Sequence, residues 1–587
     1  MIEPRIYRAA FIPALLAAVV AMFSLESKPP PVPQALAADV LFDGRVALAA
    51  AGRIADAQPD RRPGSNGNLD VARQVSQRLH AQHFAVTVDR FSEDGHDLVN
   101  VVGRRIGASP RQLVVVAARD ASRVPDRAGS ASDTAALMEI ARTLEGRATQ
   151  KTLVLASVDG STLGAAGARR LASQLEAAGP VEAVIVLSEM GVPHAERSLL
   201  LPWGEGTARG GLRLQRTVGE SVRLEVQRGG AGRGPGTGAQ FARLAFPAGI
   251  GDQAPFVDQG LDAVRLSGSG ELPPERQLEP SADRLGALGR ATLRTIFAYD
   301  AGGVVSERPR SFLGVAQKVL PSWSVALLVA TLLLPIFAAA IDSFARMRRR
   351  REPVVPWLRW IAAGAAPFLL TLAVADLLVL VGQAPDAPPI PTPPREHPLE
   401  GAAAVALGIC TVVFLLAWLF LRPRLAGARR LPAPDRPGAG AALALTMSIA
   451  ALAVWVVNPF AALALLPAFH LWLLVTASPV PARRPVGAAL VAVGIAAPVL
   501  VAIGLLAHLG LGPLAGLWYG FLLLTGHQVG LYTAVVGSVL AACFAAAMRI
   551  ALARRSVPEE PPGPKVRGPG GYAGPGSLGG TESALPR

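Results

Sequence analysis

The chain has 587 residues, of which 51% are hydrophobic and only 17% charged, with a formal charge of +14 and a mean hydropathy of +0.38. Soluble domains carry about 25% charged residues, so this composition excludes an all-soluble protein and calls for long runs buried in a membrane. A basic chain can also bind nucleic acid, but no basic patch interleaved with aromatics and no recognition motif occurs, which excludes that partner.

Only four of the 57 basic residues are lysines (Lys28, Lys151, Lys318 and Lys565), an Arg, Ala, Gly and Pro bias of the kind a GC-rich bacterial genome produces. Residues 9–25 form an apolar run behind Arg5 and Arg8, followed by a Pro-rich linker over 26–39. The run reads as an N-terminal signal anchor. Its rival is a cleaved signal peptide with a small-residue site at Ala35-Leu36-Ala37, and the 12 residues between run and site favour the anchor. Either way, the next segment lies outside the cytoplasm.

Residues 40–300 alternate short apolar runs with amphipathic stretches. Val99–Val102, Leu113–Ala118, Thr152–Val158 and Ala183–Leu187 read as buried parallel strands, with helices over Thr134–Leu144 and Ala165–Ala177 between them. This alternation predicts an α/β domain with a mostly parallel sheet and a ligand site at the carboxyl ends of its strands. Residues 301–322 read as a linker.

From 323 to 548 the sequence predicts a seven-helix transmembrane domain, with spans near 323–345, 358–382, 400–421, 439–457, 460–477, 486–510 and 528–548. With the first run this makes about eight transmembrane helices. Residues 513–526 are too short to span and read as an interfacial or re-entrant piece. Arginines test this topology. Arg346, Arg348 to Arg351 and Arg359, then Arg422, Arg424, Arg429, Arg430 and Arg436, then Arg483 and Arg484, then Arg549, Arg554 and Arg555 all fall on the cytoplasmic side if the N-terminus is inside. Residues 26–322, by contrast, carry 35 basic and 32 acidic residues and are nearly neutral. The Gly- and Pro-rich tail over 549–587 reads as disordered and cytoplasmic. Both cysteines, Cys410 and Cys543, lie in apolar runs, so the polar segment has neither a disulfide nor a cysteine zinc site.

The most informative stretch is Asp159-Gly160-Ser161-Thr162-Leu163-Gly164-Ala165-Ala166-Gly167-Ala168, which follows a strand and opens a helix. It resembles the D-G-E-E-x-G-x-x-G-S segment of the co-catalytic zinc aminopeptidase family, which includes glutamate carboxypeptidase-like enzymes. In that family the first Glu is the general base and the second a zinc ligand. Here those positions hold Ser161 and Thr162. Three further segments follow in the family's order. Val116–Ala121 is similar to the strand ending in H-x-D, with Arg119 at the His position and Ala121 at the Asp position. Gly129–Arg142 is similar to D-N-A-S-G-x-A-A-L-L-E-x-A-R. The ungapped register puts Gly129 at the bridging Asp, and a gapped one would save it as Asp133. Gly251–Phe256 with Ala263–Leu266 resembles the closing S-D-H-x-P-F and A-V-R-L, with Gln253 at the last zinc-binding His. The remaining acid position falls at Ser188, beside Glu189.

The resemblance spans roughly residues 68–268 and implies a zinc-aminopeptidase-like fold with a degenerate metal site. Two zinc ions need about five anionic or imidazole ligands and a basic carboxylate, so no zinc and no peptidase activity of the family type are expected. A guanidinium at 119 about 4 Å from a dication would add a cost on the order of 8 kcal/mol at an effective dielectric near 20. Candidate binding residues are Arg119, Asp133, Asp159, Ser161, Thr162, Glu189, Asp252 and Gln253, with no catalytic residue assigned. The alternative is a membrane metallopeptidase with a rebuilt site using Asp120, Asp133, Asp159, Glu189 and Asp252.

Other polar residues read more plainly. His80, His83, His96 and His194 are surface histidines, and Ser161 lacks the elbow and partners of a nucleophile. Intramembrane Asp376 and His470 are candidates for function because ionisable groups are costly there. His508, His527, Trp518 and Tyr519 read as interfacial anchors. A transporter ranks last, since no repeated span pattern is present.

One span, a peptidase-like domain without its ligands, then seven spans is a layout that resembles the Gaa-type attachment subunit of the glycosylphosphatidylinositol transamidase. The resemblance implies a non-catalytic domain that holds polypeptide and lipid-linked substrates for a separate subunit, with membrane lipid as a further partner.

Overall fold

The computed structural model describes residues 4–33, 41–121, 124–193, 199–226, 235–247, 249–274, 277–303, 307–385, 394, 397–427, 434, 436–477 and 483–553. The candidate cleavage site at Ala35–Ala37, His194, Arg429, Arg430, Arg554, Arg555 and all but residues 549–553 of the expected C-terminal tail lie outside them.

In chain order, α1 (Pro4–Phe23) and the short β1 (Glu26–Ser27) precede α2 (Gly44–Ala57), α3 (Asn66–Ala81), β2 (Ala85–Glu93), β3 (His96–Arg105) and β4 (Ser109–Ala118). Then come α4 (Ser130–Thr143), β5 (Lys151–Val158), α5 (Ala166–Leu175), β6 (Val181–Ser188), β7 (Leu200–Leu201), α6 (Leu212–Glu225), α7 (Thr237–Ala245), α8 (Gln253–Asp258), β8 (Ala263–Ser267) and α9 (Ala282–Ala301). Side-chain caps start several helices where the sequence supplies them. Asp43 accepts from Arg45 and Val46 N–H at the head of α2, and Ser65 and Ser281 accept from the third residue of α3 and α9.

Seven strands form one sheet in the order β2-β3-β5-β4-β6-β8-β7. The four central strands β5, β4, β6 and β8 are parallel, and their side chains alternate between two cores. Leu113, Val115 and Ala117 join Leu153, Leu155, Ile185 and Leu187 on one face, under α2, α4, α6 and α9. Val114, Val116, Val154, Ala156, Val184 and Val186 face the other way, toward α5 and α8. This is a three-layer α/β domain. One strand departs from the expectation: β3, which contains Val99–Val102, runs antiparallel to both neighbours. The Asp94-Gly95 pair explains it, since both residues take positive φ and close a two-residue hairpin between Glu93 and His96.

The segment expected to be a linker at 301–322 is also structured. β9 (Phe312–Val315) and β10 (Lys318–Pro321) pair as a hairpin, and β1 adds a third strand through Glu26↔Val319 and Ser27↔Lys318. The two chain segments flanking the α/β domain are therefore stitched together where they leave it. Part of the N-terminal linker is packed too, because Val32 is buried and its N–H donates to Thr217 Oγ1 at 2.9 Å.

The remaining elements are α10 (Ser322–Arg349), α11 (Val355–Leu380), α12 (Ala402–Leu416), a π-helical turn (Ala417–Leu421) running into α13 (Arg422–Ala426), α14 (Pro437–Val457), α15 (Pro459–Ala477), α16 (Arg484–Leu509), α17 (Pro513–Thr525) and α18 (Leu531–Ala553). Among the described residues, eight helices, counting α12 through α13 as one and including α1, are long and apolar enough to cross a membrane. The 13-residue α17 is too short. Small residues let the backbones approach closely: Gly438 to Ala442 of α14 are all buried in the bundle core. α1 packs on α10 through Ala10, Ala17 and Ala21.

Candidate functional site

The family-like motifs converge at the carboxyl ends of the parallel strands. Asp120 follows β4, Asp159 to Thr162 follow β5, Glu189 follows β6, and Asp252 and Gln253 open α8. Asp133 reaches the same region from the first turn of α4.

Arg119 and Asp159 are wholly buried and engage each other at 3.1 Å. The Arg119 guanidinium points into the sheet. It donates to the carbonyls of Ser157 (3.0 Å) on β5 and Val99 on β3, so it laces three strands together. The guanidinium is thus taken up by the sheet and by Asp159. Asp159 accepts from Asn68 Nδ2, Gly160 N, Val99 N and Arg119, which accounts for both of its oxygens. Gly167 has to be glycine because a Cβ there would lie 2.3 Å from the Asp159 carbonyl and 2.5 Å from Asn100 Oδ1.

Asp120 is buried as well. Its Oδ1 accepts from Ser161 N at 3.0 Å, and its Oδ2 accepts from Thr162 N and Thr162 Oγ1, each at 2.9 Å. Burial, and then the Asp159 carboxylate, raise its pKa to about 7. Ser161 Oγ donates to Asp252 Oδ2 at 2.7 Å. The two residues standing at the family's general base and ligand thus fold down onto the remaining acids. Ser161 and Thr162 are half-buried, and Asp252 is 5% exposed.

A second acid group sits beside the first. Asp133 accepts from Glu189 N (3.0 Å) and Met190 N (2.8 Å), pinning the turn after β6, where Glu189 takes φ +55°. Burial, then Glu189, raise the Asp133 pKa well above the usual carboxylate value. Asp252 is also raised by burial, against the Ser161 hydrogen bond and Arg265. Among the described residues, no group of three or more His, Cys, Asp or Glu side chains is placed to hold a metal ion. Among the described residues, the buried acceptors Asn68 Oδ1, Asp252 Oδ1 and Gln253 Oε1 at this site have no hydrogen-bond partner. Gln253 Nε2 is engaged by the carbonyls of Trp203 and Ile250, both at 3.0 Å.

Arg265 on β8, which falls in the A-V-R-L-like segment but is not among the candidate site residues read from the sequence, is a second cation among these groups beside Arg119. It feels Glu271, Asp252 and Glu189, and burial lowers its pKa. Its close approach to the loop explains Gly251, where φ is +100° and a Cβ would sit 2.1 Å from Arg265 Nη1. Arg265 Nη2 donates to the Glu271 carbonyl at 2.8 Å, while the Glu271 carboxylate pairs with Arg243. Burial pushes Glu271 up, but Arg243, His508 and Arg265 hold it below its ordinary value.

His508 belongs to α16. Its Nε2 lies 3.3 Å from Glu271 Oε2, and Tyr519 of α17 packs with Ile250, Leu272 and Leu509 in one apolar cluster. His508 and Tyr519, expected as interfacial anchors, join the bundle to the α/β domain beside the strand-end acids. Asn458, between α14 and α15, adds a second tie by donating to the Leu244 carbonyl at 2.8 Å.

Of the two intramembrane candidates, His470 is a tie between helices: Tyr7 Oη of α1 lies 3.2 Å from its Nδ1, and its Nε2 lies 3.1 Å from the Leu332 carbonyl of α10. Tyr7 can donate and the carbonyl can only accept, which assigns the ring proton to Nε2. Asp376 on α11 has a buried Oδ1 without a hydrogen-bond partner and lies next to Ala375, which packs with Cys410, Trp518 and Phe521.

No protein-family model matches the chain, and no curated protein matches it. Solved structures do. The chain is similar to the glutaminyl cyclase of an Acidobacteriales bacterium at 14% identity and a TM-score of 0.36, over 46% of this chain and 98% of that one. It is similar to a leucine aminopeptidase precursor from Bacteroides thetaiotaomicron at 17% identity and a TM-score of 0.35, over 46% and 99% of the two chains. A zinc aminopeptidase from Bacillus subtilis matches at 13% identity and a TM-score of 0.35, over 46% and 100%.

Proposed function

We propose that this chain is a multi-pass membrane protein whose α/β domain has the frame of a zinc aminopeptidase, has lost its chemistry, and binds a polypeptide or lipid-linked partner outside the cytoplasm. The observation that carries this reading is the engagement of the strand-end acids. Asp120 and Asp159 have both oxygens occupied by backbone N–H groups and side-chain donors, and Asp133 accepts two backbone N–H groups. A zinc pair needs free carboxylates or imidazoles, whereas among the described residues the unpartnered acceptors around these acids include the amide oxygens of Asn68 and Gln253 and a single carboxylate oxygen, Asp252 Oδ1. These residues do not fit two zinc ions. The positions of the family's general base and zinc ligand hold Ser161 and Thr162, which donate to Asp252 and Asp120.

The half-buried Ser161-Thr162 turn is the part of the site open to a partner. Its place beside the Glu271–His508 junction supports a partner presented from the membrane, in the manner of the Gaa-type subunit. Two measurements test the reading. Purified full-length protein, supplied with zinc, is expected to hold no stoichiometric metal and to cleave no aminopeptidase substrate. A photo-crosslinking residue at Thr162 is expected to capture a discrete protein or lipid-linked species in native membranes. Turnover with zinc that Asp133→Ala abolishes would establish the membrane metallopeptidase instead.

A further inference from the structure

We propose that the bundle end carrying the arginine clusters holds a binding site for the phosphate of an anionic phospholipid, built by Arg422 and Arg549 against Trp360 and Trp418. The inference rests on reading the apolar helices as membrane spans.

Arg422 is 6% exposed, yet its Nε is buried without a hydrogen-bond partner, and among the described residues no carboxylate pairs with its guanidinium. Its charged neighbour is another cation, Arg549 of α18. The two guanidinium carbons lie 5.9 and 5.7 Å from the centroid of the same ring, Trp360, and that of Arg422 also lies 4.6 Å from Trp418. Aromatic faces attract cations but do not neutralise them, and two like charges held over one ring lack an anion. Gly364 of α11 faces the slot, where a Cβ would come 3.8 Å from Arg422 Nε and 3.0 Å from Ala542.

Helix geometry shapes the slot. The π-helical turn Ala417–Leu421 immediately precedes Arg422, and such turns inside α-helices concentrate at functional sites. It sets Trp418 and Arg422 against α11, while Leu419 and Phe420 on the same turn stay 61% and 55% exposed. A polar slot with two arginine forks for a phosphate, flanked by apolar surface for acyl chains, matches a phospholipid better than a free anion.

The test uses the full-length protein in nanodiscs of phosphatidylcholine with or without phosphatidylglycerol, with retained lipid read by native mass spectrometry. Wild type is expected to retain phosphatidylglycerol over phosphatidylcholine, and Arg422→Gln to weaken that retention by about tenfold, the effect of losing a charge-assisted hydrogen bond. Arg549→Gln, at an exposed position, is expected to weaken it as well and carries the test if Arg422→Gln does not fold. Millimolar inorganic phosphate should leave the lipid in place. Equal retention by wild type and both variants, no preference between the lipids, or displacement by inorganic phosphate would each overturn the proposal. Protein that stays in solution without detergent would instead overturn the spanning reading beneath it.

Discussion

At the scale of single residues, the site is governed by where each lone pair is directed. Asp120 has a folded-state pKa of about 7 against an ordinary 3.8, raised first by burial and then by Asp159. The folded chain therefore binds more protons than the unfolded chain between about pH 4 and pH 7, and stability falls as pH rises through that window. Asp133 and Asp252 are shifted in the same direction. Asp262, pushed up to about 8 by burial, adds to the same window, so Asp120→Asn, which removes one of these proton uptakes, is expected to have a thermal midpoint in detergent that varies less from pH 4 to pH 7 than that of wild type. An unchanged pH profile would assign the slope to other acids. The identities of these residues were legible in the sequence, because Asp120, Asp133, Asp159, Ser161, Thr162, Glu189, Asp252 and Gln253 all fall in motif order. Their partners were not. The turn of the Arg119 guanidinium into the sheet depends on the Val99 and Ser157 carbonyls, which reach it only once β3 and β5 are neighbours.

Among elements, the decisive contacts join the α/β domain to the bundle. Glu271 lies in the loop after β8, where Arg243 of α7 and His508 of α16 meet it with almost no exposure to water. Removing one member of a buried charge group leaves the others uncompensated, at a cost of about 3–5 kcal/mol. Glu271→Gln is thus expected to make the loop at 268–272 sensitive to limited proteolysis while the spans stay intact. Resistance equal to wild type would assign the docking to Ile250, Leu272, Leu509 and Tyr519 alone. The first helix is held in a comparable way: the Tyr7–His470 contact ties the start of α1 to α15, and the β1–β10 pairing ties the chain after α1 to the strand that leads into α10.

For the whole molecule, the charge of +14 becomes an orientation signal under the spanning reading. Arg350 follows α10 among the arginine clusters, and Thr87 is exposed on the edge strand β2. Both native cysteines are buried, so introduced ones report cleanly. In intact cells, Thr87→Cys is expected to react with a membrane-impermeant maleimide, and Arg350→Cys only after permeabilisation. The reverse pattern would invert the topology.

The sequence by itself determined the long apolar helices, the α/β alternation and the order of the family-like motifs, because hydrophobic periodicity and short motifs are local properties of a chain. Tertiary structure alone decided the rest. It turned a linker into a three-stranded stitch, moved Arg119 into the sheet, brought Arg265 among the acids, and set His508 against Glu271. Each of these depends on groups from segments that are distant in sequence. Whether a buried charge finds a partner is settled by the fold that surrounds it, and no spacing along the chain records that outcome.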